Sequence, residues 1–136
     1  MILVDTSVWV DFLNSAQVAA GDELERLITT NAPVVLTGLV LTEVLQGLKR
    51  HAEPVTQLLS RWLLIEPRGF ATYEAAAVIS RQARSRGWAL STVDAVLTAL
   101  ALEYNAALFT LDQDFERLTF TGLQLHWANR EPKEGV

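Results

Sequence analysis

The sequence lacks the residues on which several common kinds of site depend. None of its 136 residues is cysteine, which excludes disulfides, thiolate nucleophiles and cysteine-ligated zinc. Its two histidines, His51 and His126, are isolated and match neither a catalytic triad nor a zinc site. No run of about 18 apolar residues is present, which argues against a membrane span. Residues 1–5 lack the basic start of a secretory signal, so we expect a cytoplasmic protein.

Positive charge is also scarce, because 11 Lys and Arg residues face 16 Asp and Glu residues for a net charge of −5. This balance argues against broad electrostatic binding to nucleic acid. Bound divalent cations would offset part of the negative charge. Two small basic clusters, at residues 49–51 and 81–86, keep local contact with phosphate open, although a solvated helix face explains either cluster alone.

What the sequence does contain is an alternation of short apolar runs with helical patterns. The runs at 2–4, 34–36, 63–67, 107–110 and 123–125 predict strands, and Pro67 closes the third of them. The segments at 8–13, 17–30, 39–50, 54–63, 71–86 and 91–105 predict helices. Such alternation indicates an α/β fold with a parallel sheet. We predict one domain at residues 1–128, followed by a polar tail at 129–136.

Four acidic residues interrupt otherwise apolar stretches, and each falls where a strand ends or a buried helix begins. They are Asp5, Glu43, Asp94 and Asp112. Ligands of open α/β sheets bind beyond the carboxyl ends of the strands, so we expect these acids to converge there. Clustered carboxylates repel one another, and a hard cation such as Mg²⁺ or Mn²⁺ relieves that repulsion through oxygen ligation. A site of this kind suits phosphodiester hydrolysis.

Each acid also has a structural interpretation. Asp5 could cap the helix that follows it, and Ser91 with Asp94 matches a capping box with Asp in place of Glu or Gln. Glu43 could face solvent, and Asp112 could be part of a turn. The set of four is more informative than any member, because independent capping would not require every acid to fall at the same end of the sheet.

The segments around the acids resemble those of a known family. In chain order they read VDTSVW at 4–9, TEVLQG at 42–47, TVDAVLTA at 92–99 and LFTLDQDF at 108–115. In this order and at these spacings they resemble the four motifs of the PIN-domain ribonucleases, and among these the VapC-type toxins of toxin–antitoxin pairs. The resemblance extends from residue 1 to about residue 127.

The resemblance implies a PIN-like three-layer sandwich around a five-stranded parallel sheet. It also implies RNA cleavage that depends on Mg²⁺ or Mn²⁺, and a homodimer neutralised by a cognate VapB-type antitoxin. Carried over by position, the metal-site acids are Asp5, Glu43, Asp94 and Asp112, with Asp114 as an accessory ligand. The residues expected to orient ligands or water around them are Thr6, Ser7 and Thr110.

Two other interpretations stay open. A PIN nuclease could process RNA without any antitoxin, and a small reading frame for a DNA-binding antitoxin directly upstream would separate it from a toxin. A non-catalytic module could use the acids to accept basic side chains of a partner protein, and metal titration would separate that case. A phospho-acceptor domain is disfavoured, because no second Asp lies two residues after Asp5.

Overall fold

The centre of the fold is a parallel sheet of four strands. The structure is a computed structural model that describes residues 1–14 and 18–126. The strands are β1 (Ile2–Val4), β2 (Val34–Thr37), β3 (Leu63–Ile65) and β4 (Ala107–Phe109). They lie in the order β3-β2-β1-β4, and every neighbouring pair is parallel. The predicted α/β fold with a parallel sheet is therefore confirmed.

Helices flank this sheet and connect its strands. They are α1 (Thr6–Leu13), α2 (Ala19–Thr29), α3 (Gly38–Gln46), α4 (Ala52–Leu59), α5 (Phe70–Ser85), α6 (Thr92–Glu103) and a 3-10 segment (Gln113–Thr121). The predicted helices are all present, although two end earlier than predicted. Helix α3 ends at Gln46 and not at residue 50, with Gly47 as its C-cap, and α4 ends at Leu59 and not at residue 63. Within the described ranges, no helix combines the length and apolar character that crossing a membrane requires.

The prediction of a five-stranded sheet was wrong. Residues 123–125 form only an isolated parallel bridge between Leu108 and Leu125. Two backbone hydrogen bonds support it, from Leu108 N to Gln124 O at 2.8 Å and from His126 N to Leu108 O at 2.9 Å. The chain turns at Gly122 (φ 96°) after the 3-10 segment, and among residues 123–126 only Leu125 forms a bridge to β4. The predicted polar tail at 129–136 lies outside the described residues, and the domain boundary at 128 stays a prediction.

The core sits where the sheet meets its helices. Leu3 and Val4 of β1 and Leu108 and Phe109 of β4 are fully buried. Helix α6 presents buried side chains over most of its circumference, from Ala95 to Ala101, as the nearly all-round apolar pattern predicts. The two strands that approach the acidic residues are therefore fixed by the most deeply buried part of the protein.

The order of the strands places a crevice between β1 and β4. From β1 the chain proceeds outward through β2 to β3, and it then returns to add β4 on the other side of β1. In an open parallel sheet, ligands bind at the carboxyl ends of the strands where the order reverses. Here that point lies just after Val4 and Phe109, which are register partners.

We predict that truncating Trp9 costs far more stability than truncating an exposed aromatic residue. Trp9 is fully buried and meets the ring of Trp62 edge-on at 5.1 Å and that of Phe12 at 5.9 Å. Trp9→Ala should therefore lower the free energy of unfolding by about 3–5 kcal/mol. Phe70 is 84% exposed, and Phe70→Ala should stay within about 0.5 kcal/mol of wild type. Urea unfolding measures both, and equal losses would contradict this assignment of the core.

Candidate active site

Asp5 begins the site, directly after β1. Its backbone N–H donates to Phe109 O at 2.8 Å, which extends the pairing of β1 with β4 by one residue. Asp5 occupies the N-cap position of α1, yet its side chain makes no capping hydrogen bond. Instead, Oδ2 accepts a hydrogen bond of 2.8 Å from Thr110 Oγ1. The capping interpretation of this carboxylate is therefore wrong.

Thr110 connects the two strands of the crevice. Its side chain is buried, and the same Oγ1 that donates to Asp5 accepts from the backbone N–H of Asp112 at 3.0 Å. One residue further, the N–H of Leu111 donates to Ser7 Oγ at 3.2 Å. Two hydroxyls thus hold the segment after β4 against the corner between β1 and α1. Thr110 thus contacts a predicted metal-site acid, whereas Ser7 contacts the backbone next to Asp112, and their roles in orienting ligands or water stay predictions.

Glu43 reaches the same corner from α3. This helix begins after β2, where the hydroxyl of Thr37 caps it by accepting from Val40 N at 3.2 Å. Glu43 is half-buried, and its Oε1 accepts a hydrogen bond of 2.7 Å from Thr6 Oγ1. Glu43 therefore does not simply face solvent. The sequence pointed to Thr6 as an orienting residue, but it contained no signal that Glu43 is its partner.

Asp94 lies in the first turn of α6 and is half-buried. Its backbone N–H donates to Ser91 Oγ at 3.1 Å, so the capping-box interpretation describes the backbone at this position correctly. The carboxylate of Asp94 also interacts electrostatically with the other three acids, whose negative charges raise its pKa. Capping thus places the helix start, while the side chain contributes to the acidic cluster.

Asp112 and Asp114 form the exposed part of the site. Asp112 Oδ1 accepts from the N–H of Asp114 at 2.9 Å, which opens the 3-10 segment. The turn interpretation of Asp112 is therefore correct for one of its oxygens. Asp114 is exposed, and its predicted role as an accessory ligand stays a prediction.

The electrostatic coupling shows that the four acids share one environment. Burial raises the pKa of Asp5, and the carboxylates of Glu43 and Asp112 raise it further against the lowering effect of the Thr110 hydrogen bond. Burial likewise raises the pKa of Asp94, with added repulsion from Asp5, Asp112 and Glu43. These side chains come from four different elements, so the fold brings together groups that repel one another.

The donor atoms of this cluster suit a hard divalent cation. All are carboxylate or hydroxyl oxygens, the ligands that Mg²⁺ and Mn²⁺ prefer. In residues 1–14 and 18–126, no three acidic or histidine side chains are already arranged to hold a metal ion. The residues thus fit the cation by chemistry and location, and their role as ligands stays a prediction.

We predict that neutralising Asp5 stabilises the metal-free protein at neutral pH. The pKa of Asp5 and that of Asp94 are raised by folding. The folded chain therefore binds more protons than the unfolded chain between about pH 4 and those raised values, and stability falls as pH rises through that window. Asp5→Asn should remove part of this fall and should unfold at higher urea concentration than wild type in EDTA.

The control for this experiment is Asp22→Asn. Asp22 is an exposed acid in the first turn of α2, where it interacts favourably with the helix dipole, so its neutralisation should bring no gain. Glu23 changes stability with pH in the opposite direction. Its hydrogen bond with Arg26 lowers its pKa, so its contribution to stability increases as pH rises. That contribution is common to all variants, so the difference from wild type isolates Asp5. A less stable Asp5→Asn protein would contradict the electrostatic description of the site.

Comparison with known proteins gives a consistent result. Ribonuclease VapC11 of Mycobacterium tuberculosis is 29% identical over 129 residues, which cover 91% of this chain and 96% of that protein. The aligned region includes nearly the whole length of both chains, so the likeness is not confined to the segments around the acids.

Solved structures show the same fold. VapBC2 from Rickettsia felis, bound to a DNA fragment from its promoter, matches with a TM-score of 0.73 at 22% identity, covering 93% of this chain and 98% of that one. VapC20 of M. tuberculosis, a sarcin-ricin loop cleaving toxin, matches with a TM-score of 0.62 at 22% identity, covering 87% and 95%. The PIN domain family model matches residues 2–121. The chain therefore belongs to the PIN domain family.

Proposed function

We propose that this protein is an endoribonuclease that depends on Mg²⁺ or Mn²⁺. The observation that carries the proposal is the meeting of Asp5, Glu43, Asp94 and Asp112, from four separate elements, at the carboxyl edge of the sheet. Such a concentration of charge costs stability and is expected where a cation is to be held. The similarity to VapC ribonucleases supports RNA as the substrate.

The chain's own residues prepare this site before substrate arrives. Thr110 fixes the orientation of the Asp5 carboxylate, and Thr6 fixes that of Glu43. Ser7 holds the backbone next to Asp112. A bound divalent ion supplies charge neutralisation and Lewis acidity toward a phosphodiester. Because the orienting hydroxyls are already in place, little side-chain reorganisation is required of Asp5 and Glu43 when the cation binds.

We further propose that the protein acts in the cytoplasm as the toxin of a toxin–antitoxin pair. In this role it is a homodimer, and a VapB-type protein neutralises it. The solved VapBC complex with the same fold supports this assignment. The discriminating observation is a small gene for a DNA-binding protein directly upstream, whose product restores growth when both are expressed. A PIN nuclease that only processes RNA would need no such partner.

We predict that Asp5→Asn abolishes RNA cleavage while the protein remains folded. Loss of a carboxylate at the centre of the cluster should lower the cleavage rate by more than the roughly 10–100-fold typical of changes at a ligand's supporting residues. EDTA should stop wild-type cleavage of total cellular RNA, and added Mg²⁺ or Mn²⁺ should restore it. Asp22→Asn is the matched control and should cleave normally.

Two results of that experiment would contradict the proposal. Equal cutting by wild type and Asp5→Asn would exclude the acidic cluster as the catalytic site. Failure of purified wild type to bind Mg²⁺ or Mn²⁺ in calorimetric titration would favour the non-catalytic interaction module.

We predict that Thr110→Val lowers cleavage by roughly 10–100-fold, because Asp5 then loses the hydroxyl that orients it. Thr110→Ser retains a hydroxyl and should retain most activity. Metal affinity, measured alongside the rate, should fall in Thr110→Val and not in Thr110→Ser. A valine variant with wild-type rate and affinity would show that the hydroxyl has no orienting role.

A further inference from the structure

Two arginines of this protein are stacked on aromatic rings. The guanidinium carbon of Arg86 lies 3.7 Å from the centroid of the Phe120 ring, and that of Arg117 lies 5.4 Å from the Trp88 ring. We call Arg86 and Arg117 the stacked arginines. The contact between Trp88 and Arg117 is nested in sequence within that between Arg86 and Phe120, and each joins the segment after α5 to the 3-10 segment.

Both of these segments are close in sequence to acids of the cluster. Trp88 precedes Ser91 by three residues, and Ser91 caps the helix that carries Asp94. The 3-10 segment begins directly after Asp112, so Arg117 is five residues from that acid. The stacked arginines therefore lie on two segments that are close in sequence to these acids, one leading into α6 and the other following Asp112.

The stacked arginines have no ion-pair partner among the described residues, in contrast to Arg26 and Arg68. Arg26 forms a two-pronged ion pair with Glu23, at 2.7 and 2.8 Å, and Arg68 lies 3.7 Å from Glu103. No Asp or Glu of the described ranges lies within ion-pair distance of either stacked arginine. Both side chains are exposed, so their N–H donors are accessible to a ligand.

We propose that the stacked arginines bind phosphates of single-stranded RNA, an inference that rests on the proposed function. A guanidinium on an aromatic face keeps its in-plane donors for phosphate. Stacking restricts the side chain beforehand and so lowers the entropic cost of binding. Surfaces that bind single strands combine positive charge with aromatic rings in this way. In a chain with net charge −5, such local contacts are what an anionic substrate requires beside an acidic site.

The test is the binding of a fluorescein-labelled single-stranded RNA of mixed sequence, measured by anisotropy in Mg²⁺. The full chain with Asp5→Asn serves as background, so that no cleavage occurs. Adding Arg86→Ala or Arg117→Ala should weaken binding by roughly threefold to tenfold at low salt. Each change should also reduce the slope of log affinity against log salt by about 0.7, because one phosphate contact is lost.

Matched variants separate phosphate binding from a purely structural role. Arg61 is exposed and lies just before β3, at the opposite edge of the sheet, so Arg61→Ala should leave the affinity and the salt slope unchanged. Arg117→Lys retains the charge but loses the planar fork, and it should recover the salt slope while recovering only part of the affinity. If the arginines only tether the two segments, the alanine variants will unfold at lower temperature with unchanged salt slope.

The outcomes distinguish this inference from the proposed function. RNA binding that depends on the stacked arginines, in a protein that never cleaves RNA, would support the inference and overturn the nuclease assignment. Normal cleavage together with unchanged binding in both alanine variants would overturn the inference alone. Equal loss of affinity in Arg61→Ala would also overturn it, since general charge attraction would then explain binding. A wild-type protein without measurable RNA affinity would overturn both.

Discussion

The hydrogen bond between Thr110 and Asp5 is the contact on which the site depends. It joins residues 105 positions apart in sequence and lies where the order of the strands reverses. Without it, the buried carboxylate of Asp5 would meet the other acids with less compensation for its lost hydration. The same hydroxyl accepts from Asp112 N, so one buried side chain sets the position of two of the four acids.

Burial of the hydrophobic core offsets the destabilising effect of the acidic cluster. Buried Leu3 and Leu108 lie in adjacent, register-matched strands, and Trp9 extends the core beneath α1. Repulsion between carboxylates and burial of Asp5 oppose folding, as is common where a protein retains a site for function and not for stability. The core and the acidic cluster are therefore parts of one free-energy balance, and a bound cation would shift that balance toward the folded state.

The sequence predicted most helices and strands, and it predicted that the four acids follow strands or lie near helix starts, because both features depend on local patterns. Short apolar runs ending in Asp5 or Thr37 identified β1 and β2, and Ser91 marked the start of α6. The sequence could not predict that residues 123–125 form a single bridge in place of a fifth strand. The Leu-Gln-Leu pattern is compatible with a full strand and with an isolated bridge. Whether such a short run pairs along its length depends on where Gly122 turns the chain.

Contacts between distant segments were beyond sequence reasoning for a different reason. The Thr6–Glu43 hydrogen bond and the ring contact between Arg117 and Trp88 arise only after the helices have packed. No periodicity marks them, because each depends on one side chain reaching across from another element. The basic residues at 81–86 were visible as a cluster, but only the structure separates Arg86, which lies on Phe120, from its neighbours.

The two borders of the sheet differ, and this difference decides how chains can meet. On the outer side of β4, the backbone at Leu108 is engaged by Gln124 and His126. Strand β3 has only β2 as a partner in the described part of the chain, and its Leu63 side chain is 62% exposed. Unpaired strand backbone is a template for pairing with another polypeptide. Growth of the sheet by an incoming strand is therefore open at β3 and obstructed at the opposite border, so any such association would leave the acidic cluster beside β4 uncovered.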